Sequence, residues 1–337
     1  MTKNRKNSIV KTAVVILNWN TKGFLEEFLP PLIDSTEGLD AEVVVADSAS
    51  TDGSMEMMTE KFPSVRQIPL DKNYGFTGGY NRALAMIDAE YYILINSDVE
   101  VPKDWLSPLV EWMDSHPECG VCGPKLRSWH RRDMFEYAGA AGGCLDRYGY
   151  PFCRGRVMNK IEKDTGQYDS PANVLWVSGA CLMVRASLWK SLGGLDDRFF
   201  AHMEEIDFCW RIQLEGYKVT VVPSSIVYHI GGGTLPKESP YKLFLNYRND
   251  LLMLENNLPR TIGRKKAKRR IRTRMILDGL SGAVYLFTGK WESFKAVIKA
   301  HREFRKLRRN NTSDARANID GLVSYWMIPR NLLFLQK

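Results

Sequence analysis

The sequence predicts an α/β fold: a mostly parallel, twisted sheet flanked by helices, with a C-terminal basic amphipathic helical extension. Three observations lead there. Short β-rich runs alternate with helix-patterned stretches through the first hundred residues, the signature of βαβ units. Three of those runs stop at polar residues, Asn18, Asp47 and Asn96, and in open α/β sheets ligands bind at the carboxyl ends of strands. Charge is also split along the chain. Residues 260–337 carry 20 Lys and Arg against 5 Asp and Glu, a net of +15, so the total of +8 leaves −7 on residues 1–259.

The elements follow in order. Residues 13–17 form an apolar strand ending at Asn18-Trp19-Asn20, and 24–32 read as a helix stopped near Pro30-Pro31. Residues 42–46 are a second strand ending at Asp47, 54–61 a helix, 66–69 a short strand and 78–89 a helix. The run Tyr91-Tyr92-Ile93-Leu94-Ile95 is a buried strand that delivers Asn96-Ser97-Asp98 to the sheet edge. Residues 127–171 are rich in Gly, Tyr and charge with poor periodicity and read as a long insertion or lid-like loop, a feature that is usually functional. Apolar character returns over 174–184, and a helix ends at Gly193-Gly194. Residues 205–215 place Ile206, Trp210 and Leu214 on one helical stripe, and 219–222 form a strand. The extension is basic over 260–274, then carries Ile276, Leu280, Val284 and Phe287 at helical spacing. Trp291, Phe294, Val297 and Ile298 repeat the pattern before a second basic cluster at 302–309. The expected division is 1–255, the α/β body, and 256–337, the basic helical extension.

A chain of 337 residues with 44% hydrophobic and 26% charged residues is ordinary globular material with a sizeable core. No apolar run approaches the ~18 residues of a spanning helix, and the polar N-terminus is followed by too short an apolar run for a secretory signal. The expectation is a cytoplasmic protein, peripheral on the inner face of the cell membrane. Basic helices with Trp, Phe and Leu on one face lie in membrane interfaces, so an anionic membrane surface is the expected partner of the tail; a solvated hairpin packed on the body is the rival. No nucleic-acid motif is visible, so nucleic acid is not an expected partner. Six cysteines (119, 122, 144, 153, 181, 209) fit reduced buried thiols better than a disulfide framework.

Five segments bear chemistry. A carboxylate at Asp98 is placed to hold a divalent cation, and the cation a diphosphate, although Asn-Ser-Asp is also a common turn. Residues 47–54 follow the second strand; Asp47 can accept from a base or ribose, while Asp52 or Ser54 can cap the next helix. Residues 73–81, Asn-Tyr-Gly-Phe-Thr-Gly-Gly-Tyr-Asn, open a helix with glycines that let backbone approach a ligand and with a start that favours anions. Glu204, Glu205 and Asp207 crowd one helix start, where the dipole stabilises them and where burial can raise a pKa for general-base work. His229 ends an apolar run, as Asn96-x-Asp98 does, which makes it a candidate ligand.

These segments in chain order, with Ile16-Leu17-Asn18-Trp19-Asn20 ahead of them and Trp176-Val177-Ser178-Gly179-Ala180 between residues 96–98 and 204–207, resemble the family 2 glycosyltransferases of the GT-A (Rossmann-like) fold, near the rhamnosyltransferase-like branch. The resemblance covers roughly residues 10–255. It implies a donor site at Asn20, Asp47, Asn73, Gly75, Asn81, Asn96 and Ser97. Asp98 matches the metal-binding carboxylate of the family's Asp-x-Asp motif, whose first position is here Asn96, and His229 matches a position that ligates metal in some members. Glu205 matches the catalytic base, where Asp is more usual. Trp176, Gly179, Ala180, Glu204 and Arg248 are the expected acceptor contacts, Arg248 also toward phosphate.

The expected activity is inverting, metal-dependent transfer with Mg²⁺ or Mn²⁺. A sugar, with rhamnose suggested by the likeness, moves from a UDP- or dTDP-type nucleoside-diphosphate sugar to a hydroxyl of a lipid-linked glycan in cell-surface polysaccharide synthesis. A sugar nucleotidyltransferase is the rival enzyme, but it needs a Gly-rich basic triphosphate loop where this chain has Asn18-Trp19-Asn20-Thr21. A catalytically silent membrane scaffold is the third reading, and it leaves Asp98, Glu205 and His229 without a purpose.

Overall fold

The computed structural model describes residues 9–231, 239–309, 317–327 and 329. The polar N-terminus through residue 8 and the glycines at 232 and 233 lie outside them. The first half is β1 (Val10–Asn18), α1 (Lys22–Asp34), β2 (Ala41–Asp47), α2 (Ser54–Lys61), β3 (Arg66–Pro69), α3 (Gly75–Leu84), β4 (Ala89–Ile95), β5 (Val99–Glu100), α4 (Ser107–Ser115) and β6 (Cys119–Ser128). Then come β7 (Gly143–Leu145), β8 (Pro151–Cys153), β9 (Arg156–Val157), β10 (Lys160–Ile161), β11 (Ala172–Asn173), β12 (Cys181–Arg185), α5 (Ala186–Ser191), α6 (Glu204–Leu214) and β13 (Lys218–His229). Three helices close the chain: α7 (Pro240–Ile262), α8 (Arg264–Phe287) and α9 (Trp291–Leu307).

The main sheet runs β11-β13-β6-β12-β4-β1-β2-β3, with β5 on the end of β13. Strands β3, β2, β1 and β4 are parallel. Strand β12 lies antiparallel between β4 and β6, and β13 is parallel to β6. Strands β1, β2, β4, β6 and β13 therefore point the same way, and their carboxyl ends share one edge. The start of β12 meets that edge too, because Cys181 sits opposite Ile95. Both faces are covered. Ala13 and Val15 of β1 pack into one core with Tyr80, Trp189, Phe208 and Trp210. Val14 and Ile16 pack into the other with Leu25, Leu29, Trp105 and Met113. That period-2 split between two buried faces is why the strand reads as a continuous apolar run.

Two local expectations differ from the structure. Helix α1 continues through Pro30 and Pro31 to Asp34 instead of stopping there; Leu25, Phe28, Leu29 and Leu32 bury one face, and that packing outweighs the hydrogen bonds the prolines cannot donate. Residues 127–171 are not a lid without structure: they hold a four-stranded antiparallel sheet, β10-β9-β8-β7. Its strands are two or three residues long, too short to print a period on the sequence. A buried lysine anchors this insert, with Lys125 ion-paired to Asp164 at 2.9 Å and Asp164 also bound by Arg127. The cysteines are all free.

The division expected after residue 255 falls inside α7, whose buried face includes Asn249, Leu251, Met253 and Asn257. The helices after it dock through charge as well as apolar packing. Arg274 of α8 is fully buried and donates to Asp250 of α7 at 2.6 Å and to Asp278 at 2.7 Å. Burial drives the Asp250 carboxyl up to about 6, and only the guanidinium limits the rise. Removing one partner of a buried pair strands the other charges. Arg274→Ala is therefore expected to destabilise the packing of α8 on α7 by about 3–5 kcal/mol, seen as faster hydrogen exchange in both helices; unchanged protection would show that the clamp is dispensable.

Candidate active site

The site is built at the shared strand edge. At the tips of β1 and β2, Asn18 and Asp47 are register partners. The Asn18 amide donates to Asp47 Oδ1 at 2.7 Å and to Ser50 Oγ at 3.1 Å, and the Ser50 backbone N–H donates to Asp47 Oδ2 at 2.9 Å. Asn20 takes a left-handed conformation (φ 56°); its Oδ1 accepts from the Thr51 N–H at 2.7 Å, and its own N–H reaches Ser50 Oγ at 2.9 Å. One polar knot thus fixes both loops, and Asp52 closes it by accepting from the Lys22 N–H at 2.9 Å. Trp19 stays 44% exposed beside it.

At the end of β4 the Asn96 N–H donates to the Ala180 carbonyl at 3.0 Å, so Asn96-Ser97-Asp98 is stitched to the turn that opens β12. Ser97 and Asp98 are buried. Strand β13 returns along the same edge and brings His229 Nε2 to 3.2 Å from Asp98 Oδ1. The other ring nitrogen, Nδ1, lies 3.5 Å from Glu136 Oε1. Burial opposes charge on this imidazole, yet its contacts with Asp98 and Glu136 prevail and raise its pKa to about 10. Burial likewise opposes ionisation of Asp98, but His229 holds its carboxyl below the usual range. Glu136 was not among the residues singled out from sequence: it sits in the aperiodic stretch after β6, where nothing local marks it.

The donor set suits a divalent cation as a half-site. A carboxylate and an imidazole converge, both acceptable to Mn²⁺ or Mg²⁺ chemistry. Among the described residues no three His, Cys, Asp or Glu side chains gather round one point. Asn96 supplies no charge, and Glu136 lies across the ring from Nε2. A cation held here would need its remaining ligands from a diphosphate and water.

The base candidate stands at the start of α6. The loop before it is bent through left-handed conformations at Phe200, His202 and Met203 (φ 66°, 72° and 70°), which non-glycine residues adopt only under constraint. Asn249 supplies that constraint, with its amide donating to the carbonyls of Phe199, Ala201 and His202 at 3.0, 2.8 and 2.7 Å. Arg248 adds a bond to Phe199 O at 2.7 Å, so its guanidinium braces this loop. On the other side the glycine-rich loop presses in: Asn73 Oδ1 accepts from the Gly75 N–H at 2.7 Å and the Thr77 N–H donates to Phe200 O at 3.2 Å.

Three acids follow different fates within this segment. Asp207 accepts from Arg211 at 2.8 Å and from Asn256 and Asn257 at 2.8 Å each, tying α6 to α7. Glu204 and Glu205 have no such partners, and an Oε2 of each lacks a hydrogen bond among the described residues. Burial raises Glu204 well above the usual carboxyl range and pushes Glu205 up to about 7, against the lowering effect of backbone N–H groups at the helix start. His202 is forced the other way, to about 4, by burial and by Lys242.

Gly179 joins the two halves. A Cβ there would lie 3.6 Å from Glu205 Cβ and 3.5 Å from the Phe76 ring, while its neighbour Ala180 holds Asn96. Asn96 and Glu205 thus flank the same 178–180 turn. Ser178 Oγ donates to Ala138 O at 2.5 Å, linking the turn to the Glu136 loop. Two expected contacts sit apart from it. The Trp176 ring is buried over Gly143 and donates to Cys144 O at 3.3 Å. The Asn81 amide is used on Leu195 O (2.8 Å), the Leu195 N–H (2.9 Å) and Asp197 (2.7 Å), pinning α3 to the loop before α6.

The model for glycosyl transferase family 2 matches residues 13–188. An N-acetylglucosaminyl-diphospho-decaprenol L-rhamnosyltransferase of Mycobacterium tuberculosis is 28% identical over 259 residues, 72% of this chain and 83% of that protein. A dTDP-rhamnosyl transferase, RfbF, of Shigella flexneri is 24% identical over 265 residues, 74% of this chain and 81% of that protein. Among solved structures, the mannosyltransferase PcManGT of Pyrobaculum calidifontis, in complex with GDP-Man and Mn²⁺, superposes with a TM-score of 0.53 at 15% identity, covering 88% of this chain and 87% of that one. GalNAc-T7 with UDP, GalNAc and Mn²⁺ gives 0.55 at 15% identity, over 74% of this chain and 48% of that one.

Gly75 is the position where the loop geometry tolerates no side chain. It has φ +71°, and a Cβ would fall 2.6 Å from the Phe200 carbonyl oxygen. Gly75→Ala is expected to cost about 2–5 kcal/mol, left-handed strain plus overpacking, measured by urea unfolding; a loss under about 1 kcal/mol would show that the two loops part easily.

Proposed function

Because this chain belongs to glycosyl transferase family 2 and is rhamnosyltransferase-like in its relatives, we propose a specific reaction for it: inverting transfer of a sugar from a nucleoside-diphosphate sugar to a hydroxyl of a lipid-linked glycan. The carrying observation is Glu205, half-buried, with its Oε2 buried and unpartnered among the described residues and its pKa raised to about 7, across the 178–180 turn from Asn96. A base poised near the working pH is what proton removal from an alcohol calls for. Glu205 takes the acceptor proton; the hydroxyl oxygen attacks the anomeric carbon from the face opposite the departing diphosphate, so the configuration inverts. Asp47 and Asn20, with Asn73 and Gly75, frame the donor. Asp98 and His229 would hold Mg²⁺ or Mn²⁺, which supplies charge neutralisation at the diphosphate. Relatives of the dTDP-rhamnosyl and decaprenol-linked kinds favour a UDP- or dTDP-type donor and a lipid-linked acceptor in cell-surface polysaccharide synthesis.

The acceptor chemistry fits the tail. No described helix is long and apolar enough to cross a membrane, yet Ile276, Leu280, Val284, Phe287 and Trp291 are all exposed, Phe287 at 87%. The first four follow helical spacing along α8 beyond the basic Lys265, Lys266, Arg269 and Arg272, and Trp291 opens α9. An apolar stripe continued by cations is the pattern of a face lying on anionic lipid, and we place the extension, residues 256–337, on the inner face of the cell membrane.

Glu205 works deprotonated and its pKa is raised, so kcat/KM is expected to fall with a one-proton limb as pH drops below about 7. Glu205→Gln is expected to lose about 10²–10⁴ in turnover with donor binding retained. Near-normal turnover would remove Glu205 from the role of base. Flotation with phosphatidylglycerol vesicles is expected to recover the full chain at low salt and to lose it after Leu280→Ser with Phe287→Ser; equal recovery of that variant would detach the stripe from lipid binding.

A further inference from the structure

We propose that Glu136 is the positioning residue of the cation site: when a cation displaces the proton from His229 Nε2, Glu136 keeps the remaining proton on Nδ1 and the ring aimed at Asp98. The inference rests on reading Asp98 and His229 as cation ligands. A neutral imidazole has one N–H, and only its other nitrogen can bind a metal. Nε2 lies 3.2 Å from Asp98 Oδ1, and Nδ1 lies 3.5 Å from Glu136 Oε1. Nδ1 makes no hydrogen bond among the described residues, and the Glu136 carboxylate is the acceptor beside it, placed as outer carboxylates that orient ligating histidines are.

Glu136 is itself tightly placed. It is buried. Its backbone N–H donates to Leu126 O of β6 at 3.0 Å, and its Oε2 accepts from the Ala138 N–H. Oε1 is backed by Gly231, where a Cβ would come within 3.0 Å of it. Strand β6 also carries Ser128, the register partner of His229, so both side chains are set from one pair of strands. Because Glu136 lies across the ring, it cannot share an ion with Asp98 and Nε2. That accounts for three acid and imidazole groups in a row without a three-ligand cluster.

The test uses the full chain with Mn²⁺ and dTDP or UDP. Electron paramagnetic resonance gives Mn²⁺ affinity and, through ¹⁴N modulation, imidazole ligation. Glu136→Met keeps volume and removes the acceptor. It is expected to weaken Mn²⁺ by about 10–100-fold and to diminish the ¹⁴N signal, whereas adding it to His229→Ala weakens binding no further. Additive losses in the double variant would mark Glu136 as merely structural and overturn the proposal. So would an unchanged Glu136→Met beside a weakened His229→Ala. An unchanged His229→Ala would instead overturn the cation-site reading on which it rests. Should Glu136→Met fail to fold, ¹⁵N-histidine spectra of the native chain with Mg²⁺ and dTDP decide: a proton on His229 Nδ1 supports the assignment, and one on Nε2 refutes it.

Discussion

A carboxylate taken out of water must find hydrogen bonds, a counter-charge or a proton, and the acids at this sheet edge divide those outcomes among themselves. Asp47 takes hydrogen bonds from Asn18 and Ser50 and so becomes the rivet between two loops. Asp98 takes a counter-charge from His229 and stays ionised. Asp207 takes Arg211, Asn256 and Asn257 and becomes structural. Glu204 and Glu205 each leave an Oε2 unpartnered among the described residues, and burial raises both carboxyls. The chemistry of the site follows from that allocation: the ionised acid suits a cation, and the one whose pKa is raised to about 7 suits an alcohol's proton.

Topology makes the allocation possible. One strand, β12, runs against its neighbours in the middle of the sheet, so the turn that opens it comes up at the edge where β1, β2, β4 and β13 end. That turn holds Asn96 through Ala180 and touches Glu205 through Gly179. A parallel strand in that place would bring its other end, and the 178–180 turn would lie at the opposite edge of the sheet.

The sheet tips were legible in the sequence because a buried strand is a continuous apolar run and its end is an abrupt polar residue; Asn18, Asp47 and Asn96 each announced themselves in this way. The strand at 66–69 coincides with β3, and the helix carrying Glu205 lies within one residue of its expected start. Other features have no local signature. Glu136 lies in the loop after β6, and the small sheet is built of strands too short to show a period. The roles of Asn249 and Asn81 depend on partners 47 to 50 and about 114 residues away. The prolines in α1 pointed to a stop that tertiary packing overrode. The stripe from Ile276 to Phe287 was visible as an amphipathic pattern, but a pattern does not say which way it faces, and most such stripes are buried; here it is turned outward.

A crystal structure of the chain with a nucleoside-diphosphate sugar analogue and Mn²⁺ examines the whole arrangement at once. The account predicts the diphosphate against Asp98 and His229, the base near Asp47, and the anomeric carbon facing Glu205 across the 178–180 turn. A diphosphate bound elsewhere, or a sugar turned away from Glu205, would contradict it.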